Sequence, residues 1–359
     1  MSATLTESPP APAPATAAAK TPVVNRLNLP QTAYRGGPST LCTGCGHDSI
    51  TNQIIKAAFE LGIEPHRVAK LSGIGCSSKT TAYFLGQSHG FNSVHGRMAA
   101  VATGVSLANR TLVNLGVSGD GDTASIGLGQ FLHMVRRNVP ICYIIENNGV
   151  YGLTKGQFSA TADKGSSAKK GEQNEMWPID CCALAIEMGC EFVGRSFSGD
   201  IKQLCTLVKA GLSHPGTAIL DVVSPCVTFN NHEGSTKSYK FSKDHEEALH
   251  EIGFVPSYEP ITADYAEGTT HRIDLPDGSH IMLKKLQRDY DPANKIKALE
   301  LLHQAQEQRL FLTGLIYCGK GLSPLADQQN LIDEPLATLP QSRLRPPPEV
   351  LAGIMESYK

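Results

Sequence analysis

Residues 112–150 have the sequence LVNLGVSGDGDTASIGLGQFLHMVRRNVPICYIIENNGV. Apolar runs at 112–117 and 141–145 predict two buried strands, and the apolar spacing between them predicts one helix at 126–137. A strand, a helix and a second strand form the repeating unit of a parallel sheet. Since ligands bind beyond the carboxyl ends of parallel strands, the residues that follow each strand are the candidates for a site.

A polar loop follows each of these strands, GDGD at 119–122 and NNGV at 147–150. Asp120 offers a carboxylate oxygen and Asn148 an amide oxygen, and Mg²⁺ accepts both alongside phosphate and water. The glycines let the backbone approach a diphosphate closely. Either loop alone is most often a simple turn, but two such loops after adjacent strands predict a magnesium–diphosphate site.

The rest of the sequence places this unit in a larger domain. From residue 42 to about residue 228 helix and strand patterns alternate, which predicts an α/β fold with a doubly wound, mostly parallel sheet. We divide the chain into a disordered Ala- and Pro-rich tail (1–30), this domain (31–240) and a C-terminal arm (241–359) that wraps a partner. The arm should contain a hairpin around Pro276-Asp277-Gly278 and a helix from Asp291, and the long loop at 156–175 is a candidate lid.

The composition argues against several classes of function. Apolar residues make up 41% of the chain, charged residues 18%, and the formal net charge is −2, so neither general nucleic-acid binding nor attraction to an acidic membrane is indicated. No apolar run reaches the ~20 residues of a membrane-spanning helix. The N-terminal residues lack the features of a signal peptide, and together with the ten cysteines this indicates a cytoplasmic protein with reduced thiols.

Four cysteines form a second constellation. Cys42 and Cys45 make a CxxC pair, and Cys76 and Cys226 each follow a predicted strand, so all four are expected at the same sheet edge as Asp120. Four thiolates can bind a [4Fe–4S] cluster or a structural zinc ion, and unliganded core cysteines remain a third interpretation. A c-type haem is excluded because a glycine separates the CxxC pair from the next histidine, and a zinc ribbon fits poorly because the sequence has only one CxxC. A thioredoxin-like redox pair stays open as an alternative, although the CxxC opens the domain instead of following its first strand.

The motifs occur in a fixed order: CTGCGH (42–47), GIGCS (73–77), HGR (95–97), GDGD (119–122), NNGVYGLTKGQ (147–157) and SPC (224–226). Over about residues 25–340 this order resembles the β subunit of 2-oxoacid:ferredoxin oxidoreductases, in particular the 2-oxoglutarate type. The resemblance implies a domain of the thiamine-diphosphate-binding type. It also implies thiamine diphosphate, Mg²⁺ and a [4Fe–4S] cluster as cofactors and coenzyme A as co-substrate.

The resemblance also implies roles for individual residues of this sequence. The cluster ligands would be Cys42, Cys45, Cys76 and Cys226. The magnesium ligands would be Asp120, Asn148 and the backbone carbonyl of Val150. Further contacts to the thiamine cofactor would come from Gly46, His47, Gly119, Gly121 and Leu153. Lys79 and Lys155 would face the substrate carboxylate.

The implied reaction is oxidative decarboxylation of 2-oxoglutarate to succinyl-CoA and CO₂, with single electrons passing to ferredoxin. The reverse direction fixes CO₂, as in a reductive TCA cycle. Thiamine enzymes take a glutamate for the aminopyrimidine ring from a second domain of similar fold, so we expect an α subunit and an αβ or (αβ)₂ assembly. Pyruvate or another 2-oxoacid as substrate, a thiamine enzyme without redox chemistry, and a zinc-stabilised binding subunit without catalysis are the alternatives.

Several of these residues also have simpler interpretations. His47 can cap the helix that is predicted to start near Asp48, or it can contact a diphosphate at that helix N-terminus. Arg97 can pair with a phosphate or with a surface carboxylate. Lys79 and Lys155 can be solvated surface lysines. An ATP-binding loop is excluded, because the spacing GxxxxGK[ST] is absent around Lys79.

Overall fold

A computed structural model describes residues 23–167, 172–230, 235–248, 250–252, 270–274, 280–285 and 290–359. Most of the expected N-terminal tail and the turn expected at 276–278 therefore lie outside the described residues. Residues 23–30 are described, and Asn25 holds this segment to the domain, since its side-chain amide donates to Tyr34 Oη (2.7 Å) and to the carbonyl of Phe59 (3.0 Å). The packed part of the chain begins before the boundary that we set at residue 31.

The strands follow the predicted ones closely where the sequence is most apolar. They are β1 (Val68–Ser72), β2 (His89–Asn92), β3 (Val113–Gly119), β4 (Ile141–Asn147), β5 (Val150–Tyr151), β6 (Gln157–Phe158), β7 (Phe192–Phe197), β8 (Thr217–Val223), β9 (Glu246–Ala248), β10 (His250–Ile252), β11 (Thr270–Asp274), β12 (His280–Lys285) and β13 (Phe311–Cys318).

The described α-helices are α1 (Gly46–Leu61), α2 (Cys76–Lys79), α3 (Met98–Ala108), α4 (Leu128–Arg136), α5 (Cys181–Glu187), α6 (Ile201–Ser213), α7 (Tyr239–His245), α8 (Lys295–Gln308), α9 (Leu325–Gln328), α10 (Gln341–Leu344) and α11 (Pro348–Ser357). Among these described helices, three have only four residues: α2 near the cleft, and α9 and α10 in the C-terminal part. Short 3₁₀ turns lie at Gln31–Tyr34, Pro65–Arg67, Thr80–Ala82 and Leu336–Thr338.

One mixed sheet organises the domain, with strand order β2-β1-β3-β4-β8-β7-β13-β9. The pairs from β2 through β7 are all parallel, and β13 pairs antiparallel to β7. This confirms the predicted α/β fold with a doubly wound, mostly parallel sheet. The carboxyl ends of β1, β3 and β4 lie side by side, which brings the two polar loops and Cys76 to one edge.

The central strand β4 is buried on both faces, which explains its continuous apolar sequence. Tyr143 and Ile145 point into a core that helices α3, α4, α5 and α8 cover. Cys142 and Ile144 point into a second core on the opposite face, which α1 and α6 cover. Helices on both faces of the sheet leave its carboxyl edge as the open surface.

The helix predicted at 126–137 begins later than expected. Gly121–Ile126 forms a π-helical turn, and α4 starts only at Leu128. The amide of Gly127 donates to the carbonyl of Asp122 (2.9 Å), and a Cβ on Gly127 would lie 2.7 Å from that oxygen. The close packing of this glycine therefore breaks the helix directly after the GDGD loop, and such π turns often occur at functional sites.

The boundary that we placed at residue 240 is wrong for the sheet. Strand β13 pairs with β7, and Ala298 and Leu302 of α8 are buried in the first core. Residues 290–318 thus belong to the domain and not to an arm, because β13 extends the sheet beyond β7 and pairs with β9 on its other side. Helix α8 starts at Lys295, capped by the side chain of Asn294, and not at Asp291.

The predicted hairpin is confirmed in its pairing, since β11 and β12 are antiparallel. Among the described residues, no helix combines the length and the apolar character that crossing a membrane requires.

Candidate cofactor-binding cleft

An open cleft lies at the carboxyl edge of β1, β3 and β4, with about 520 Å³ of empty space when the open solvent at its mouth is included. Both polar loops, the cysteine of the GIGCS segment and the first turn of α1 contribute to it. The lining residues are His47, Ile74, Gly75, Cys76, Ser77, His95, Gly119, Asp120, Gly121, Asp122, Glu146, Asn148, Val150, Tyr151, Gly152, Leu153 and Thr154.

Asp120 is the anionic group of this cleft, and it is 1% exposed. Its carboxylate accepts hydrogen bonds from the amides of Asn148 (3.2 Å) and Gly149 (3.1 Å). The hydroxyls of Ser159 and Thr161 also donate to its Oδ2, the latter at 2.7 Å. Burial raises the pKa of Asp120, while the hydrogen bonds from the two hydroxyls act to lower it. These donors fix the carboxylate at the end of β3.

The NNGV loop is held in one conformation beside Asp120. Asn148 Oδ1 accepts from the amide of Val150 (3.1 Å), and the carbonyl of Asn148 accepts from the side chain of Asn230 (2.7 Å). Gly149 has a φ of 73°, and a Cβ there would lie 2.8 Å from Asn230 Nδ2. Only glycine meets both conditions at low cost. The loop thereby presents Asn148 and Val150 to the cleft.

The two aspartates of the GDGD loop have different contacts. Asp122 accepts from the amide of Gly96 (2.8 Å) and from Ser118 Oγ (2.8 Å), so it holds the start of α3 to β3. A Cβ on Gly121 would lie 2.5 Å from Tyr151 Cε1. The Tyr151 hydroxyl donates to the carbonyl of Gly121 (3.1 Å), and the two loops are locked together at this contact.

His47 lies in the first turn of α1 and does not cap that helix, because its N-cap residue is Cys45. His47 Nδ1 is 2.6 Å from Ser224 Oγ, and burial lowers the pKa of the imidazole to about 4. Gly46 is packed behind the cleft, since a Cβ there would lie 2.6 Å from Ser224 Oγ and 2.7 Å from Ser198 Oγ. Of these two residues only His47 lines the cleft.

Glu146 is a cleft residue that the sequence analysis missed. It is 0% exposed, and among the described residues neither of its carboxylate oxygens has a hydrogen-bond partner. Burial, and then the negative charge of Asp48, raise its pKa well above the ordinary value. In the sequence, the position of Glu146 directly after the apolar residues 141–145 was the feature that could have indicated a functional residue. A buried polar group without a partner is the usual mark of a functional position.

Of the four cysteines, Cys76 lines this cleft, and Cys226 lies near the lining residue Gly152. Gly152 separates two of the sulfurs, since a Cβ on it would lie 3.6 Å from Cys76 Sγ and 3.7 Å from Cys226 Sγ. Burial raises the pKa of Cys76, and the charges of Cys226 and Cys42 act in the same direction. Burial also raises the pKa of Cys45 to about 12, with Glu146 and Cys226 adding to it. The thiols therefore interact electrostatically.

In the part of the chain that the structure describes, no three Cys, His, Asp or Glu side chains form a group that can hold a metal ion. The cluster assignment thus stays a prediction. The ligands predicted for magnesium are of another kind: one carboxylate, one side-chain amide oxygen and one backbone carbonyl. Because only one of them is a Cys, His, Asp or Glu side chain, the absence of such a three-residue group among the described residues does not bear on the magnesium site. Asp120, Asn148 and Val150 line the same cleft and fit the preference of Mg²⁺ for oxygen ligands.

Lys79 and Lys155 are exposed, and neither is among the described residues that line the cleft. Lys79 is the last residue of α2, and its charge lowers the pKa of Cys76 against the larger effect of burial. Lys155 has a φ of 80°, and its amide donates to the carbonyl of Gly152 (3.2 Å). Both lysines are thus close to cleft residues without facing into the cleft.

The loop expected to act as a lid is tied to the site at its start. Ser159 and Thr161 contact Asp120, and Asp163 pairs with Lys237 Nζ (2.9 Å). Residues 168–171 of this loop, including Lys169 and Lys170, lie outside the described residues.

Comparison with known proteins agrees with this geometry. Residues 73–222 match the model of the family described as "Thiamine pyrophosphate enzyme, C-terminal TPP binding domain". A 2-oxoacid:ferredoxin oxidoreductase β subunit from a Sulfolobus species is 38% identical over 221 residues, which are 61% of this chain and 70% of the relative. The 2-oxoglutarate synthase subunit KorB of Methanocaldococcus jannaschii is 33% identical over 260 residues, 70% of this chain and 95% of the relative.

The chain belongs to the β-subunit family of 2-oxoacid:ferredoxin oxidoreductases. This β subunit contains a thiamine-diphosphate-binding domain and is part of an oxidoreductase enzyme, and its family name implies an α subunit. A solved structure described as 2-oxoglutarate:ferredoxin oxidoreductase from Magnetococcus marinus with 2-oxoglutarate, coenzyme A and succinyl-CoA bound has a TM-score of 0.68 and 29% identity. The match covers 85% of this β subunit and 92% of that chain.

Proposed function

We propose that this β subunit, together with an α subunit, catalyses oxidative decarboxylation of 2-oxoglutarate to succinyl-CoA and CO₂ and passes the electrons to ferredoxin. The observation that carries this proposal is the shared cleft. Asp120, Asn148 and Val150 line it together with Cys76, so a thiamine site and a thiol-bound electron carrier would be neighbours. Relatives named for 2-oxoacid:ferredoxin and 2-oxoglutarate oxidoreductases support the assignment.

Asp120, the Asn148 amide oxygen and the Val150 carbonyl would hold Mg²⁺ against the diphosphate. The amides in the first turn of α1, where His47 lies, would bind the anion, because the N-terminus of a helix favours negative charge. Bound thiamine diphosphate supplies the electron sink for decarboxylation. Once an α subunit covers the open cleft, its buried walls would exclude water from the reacting atoms.

Cys42, Cys45, Cys76 and Cys226 would hold a [4Fe–4S] cluster, which supplies a one-electron carrier. Burial holds the pKa of Cys45 and of Cys76 above their ordinary values, so these thiols lose their protons only when a cation compensates the charge. Glycine at position 152 keeps the space beside two of these thiols free, since a Cβ there would lie within 4 Å of both Cys76 Sγ and Cys226 Sγ.

The exposed lysines support a dicarboxylate as substrate. Lys79 and Lys155 are adjacent to cleft residues, and their charges would attract the distal carboxylate of 2-oxoglutarate. We further propose that the α subunit covers the open cleft and contributes the glutamate for the aminopyrimidine ring, in an αβ or (αβ)₂ assembly. Turnover by the purified β subunit alone would contradict this part of the proposal.

The test is an assay of the anaerobically purified αβ complex with a panel of 2-oxoacids, coenzyme A and ferredoxin. We expect the highest kcat/KM for 2-oxoglutarate. A preference for pyruvate or a branched 2-oxoacid contradicts the substrate assignment and leaves the reaction class intact. Absence of ferredoxin reduction with every acid contradicts the function, and zinc in place of iron in the purified complex would favour a binding subunit.

A further inference from the structure

We propose that Arg195 is a positioning residue for the Asp120 carboxylate and thereby for magnesium binding. This inference rests on the proposed role of Asp120 as a magnesium ligand. Arg195 acts at a distance, through a buried hydrogen-bond chain that crosses the ends of four strands. Asp221, Asn147 and Thr161 are the links of this hydrogen-bond chain between Arg195 and Asp120.

Each link of this chain is a direct contact. Arg195 Nε donates to Asp221 Oδ2 (2.9 Å), across the register pair that joins β7 to β8. Asp221 Oδ1 accepts from Asn147 Nδ2 (2.9 Å) at the end of β4. Thr161 Oγ1 then lies 2.9 Å from Asn147 Oδ1 and 2.7 Å from Asp120 Oδ2.

Arg195 is fixed at the far end by a second carboxylate. Its Nη2 donates to Asp180 Oδ1 (2.8 Å), and Asp180 caps helix α5 by accepting from the amides of Cys182 and Ala183. The side chains of Arg195 and Asp221 are 11% and 2% exposed, so the pair is largely removed from water. The guanidinium cannot be replaced by solvent there, and its loss would leave Asp221 buried without a compensating charge.

This arrangement determines the orientation of the Asn147 amide. The Asp221 carboxylate, held by Arg195, can only accept hydrogen bonds, so Asn147 must turn its NH₂ group toward it. The carbonyl oxygen of the same amide therefore faces Thr161. The ion pair between Arg195 and Asp221 thus determines which atom of the Asn147 amide faces Thr161, the residue that contacts Asp120.

The polarity matters because the Thr161 hydroxyl has one proton, and its two nearest acceptors are Asp120 Oδ2 and Asn147 Oδ1, with Ser159 Oγ farther away at 3.1 Å. While Asn147 competes for that proton, Asp120 keeps more of its negative charge for a cation. If Asn147 reversed its amide, it would donate to Thr161, and the hydroxyl proton would go to Asp120 alone. Loss of Arg195 leaves the buried charge of Asp221 uncompensated and so favours its protonated form, which can donate to Asn147 and permits the reversed amide. Loss of Arg195 is therefore expected to weaken magnesium binding without any change at the metal ligands.

Arg110, which lies outside this hydrogen-bond chain, provides a control variant for Arg195. This arginine also bridges two carboxylates, Asp327 and Asp333, but it precedes the start of β3, at the opposite end of the strand from Asp120. Arg195→Met and Arg110→Met remove the same side chain from two bridged pairs, and only the first is joined to Asp120.

The experiment measures thiamine diphosphate binding to the αβ complex by calorimetry at a series of Mg²⁺ concentrations. Loss of an outer partner of a metal ligand typically weakens metal affinity about 10- to 100-fold, and we expect this range for Arg195→Met and less than about a twofold change for Arg110→Met. Arg195→Lys, which keeps the charge, should recover part of the affinity. Equal magnesium affinity in Arg195→Met and the unaltered complex overturns the proposal.

A double variant tests the path. Thr161→Val removes the link next to Asp120, so Arg195→Met should add less than about a twofold effect in the Thr161→Val background. If the loss of magnesium affinity in the double variant equals the product of the two single losses, Arg195 does not act through Thr161 and the proposed path is overturned. If Arg195→Met does not fold, Asn147→Ala breaks the chain and leaves the ion pair in place, and unchanged magnesium affinity there overturns the proposal. Absence of magnesium-dependent binding in the unaltered complex contradicts the proposed function instead.

Discussion

His47 Nδ1 lies 3.5 Å from Glu146 Oε2, and both side chains are buried where they line the cleft. Burial lowers the pKa of His47 to about 4 and raises the pKa of Glu146 well above its ordinary value. Both groups are therefore held neutral side by side. Such a pair costs stability and is kept at a site where bound groups supply the missing partners.

Replacing Glu146 by leucine should stabilise the protein and lower its activity. Neither carboxylate oxygen has a hydrogen-bond partner among the described residues, and removal of such a buried group recovers about 1–3 kcal/mol of unfolding free energy. The measurement is the melting temperature of the cofactor-free αβ complex together with its kcat. Glu146→Gln is the control, because a neutral amide leaves the stability nearly unchanged. A lower melting temperature for Glu146→Leu would refute this interpretation.

Gly121→Ala should weaken thiamine diphosphate binding. A Cβ at this position would lie 2.5 Å from the Tyr151 ring, so the contact that locks the two polar loops must open, at a cost of about 1–3 kcal/mol. Gly129→Ala in α4 is the control, because a Cβ there meets nothing within 4 Å and a helical alanine is favoured over glycine. Calorimetric titration of both variants checks the prediction, and equal affinities would show that the Tyr151 contact is dispensable.

Lys237→Met should weaken magnesium binding by loosening the NNGV loop (147–150), although Lys237 is not one of the residues that line the cleft. Lys237 Nζ pairs with Asp163 Oδ1 (2.9 Å), and the lysine Cδ would lie 3.1 Å from a Cβ on Gly149. Both members of the pair are largely buried, so removing one costs about 3 kcal/mol and frees the backbone around Gly149.

The control is Lys209→Met, which breaks the more exposed pair with Glu60 at a cost below about 1 kcal/mol. We expect a higher magnesium requirement for Lys237→Met only. The prediction fails if the two variants need the same magnesium concentration.

Stability should fall as the pH drops from about 6.5 toward 4, in part through His214. Burial lowers the pKa of His214 from 6.5 to about 4, and its Nε2 has no hydrogen-bond partner among the described residues. Between these values the unfolded chain binds the proton and the folded chain does not, so acid favours unfolding, by up to about 3 kcal/mol for this residue. Urea unfolding measured across this pH range should show that the unfolding free energy of His214→Phe changes less with pH than that of the unaltered protein. An unchanged slope would exclude His214 as a contributor.

The sequence predicted the parts of the site that depend on local pattern. The apolar runs before the GDGD and NNGV loops determine β3 and β4, and parallel pairing of these strands brings Asp120 beside Asn148. The same reasoning located Cys76, which follows β1 in the neighbouring position of the sheet. Periodicity and strand order were sufficient for these contacts.

The parts that the sequence did not show depend on contacts between distant segments. Glu146 is one charged residue at the end of an apolar strand, and only the packing around it shows that it lacks a partner. The pairing of Arg195 with Asp221 requires the order of β7 and β8. Strand β13 joins the sheet antiparallel from far along the chain, which no local pattern indicates.

In the proposed enzyme, substrate oxidation and electron transfer share one cleft. The most direct measurement follows the visible iron–sulfur absorbance of the anaerobic αβ complex after 2-oxoglutarate and coenzyme A are added. We predict about four irons per β subunit. The absorbance should bleach in the unaltered complex, and in Cys76→Ala the bleaching should be lost while thiamine diphosphate still binds. Zinc in place of iron, or unchanged bleaching in Cys76→Ala, would contradict the account.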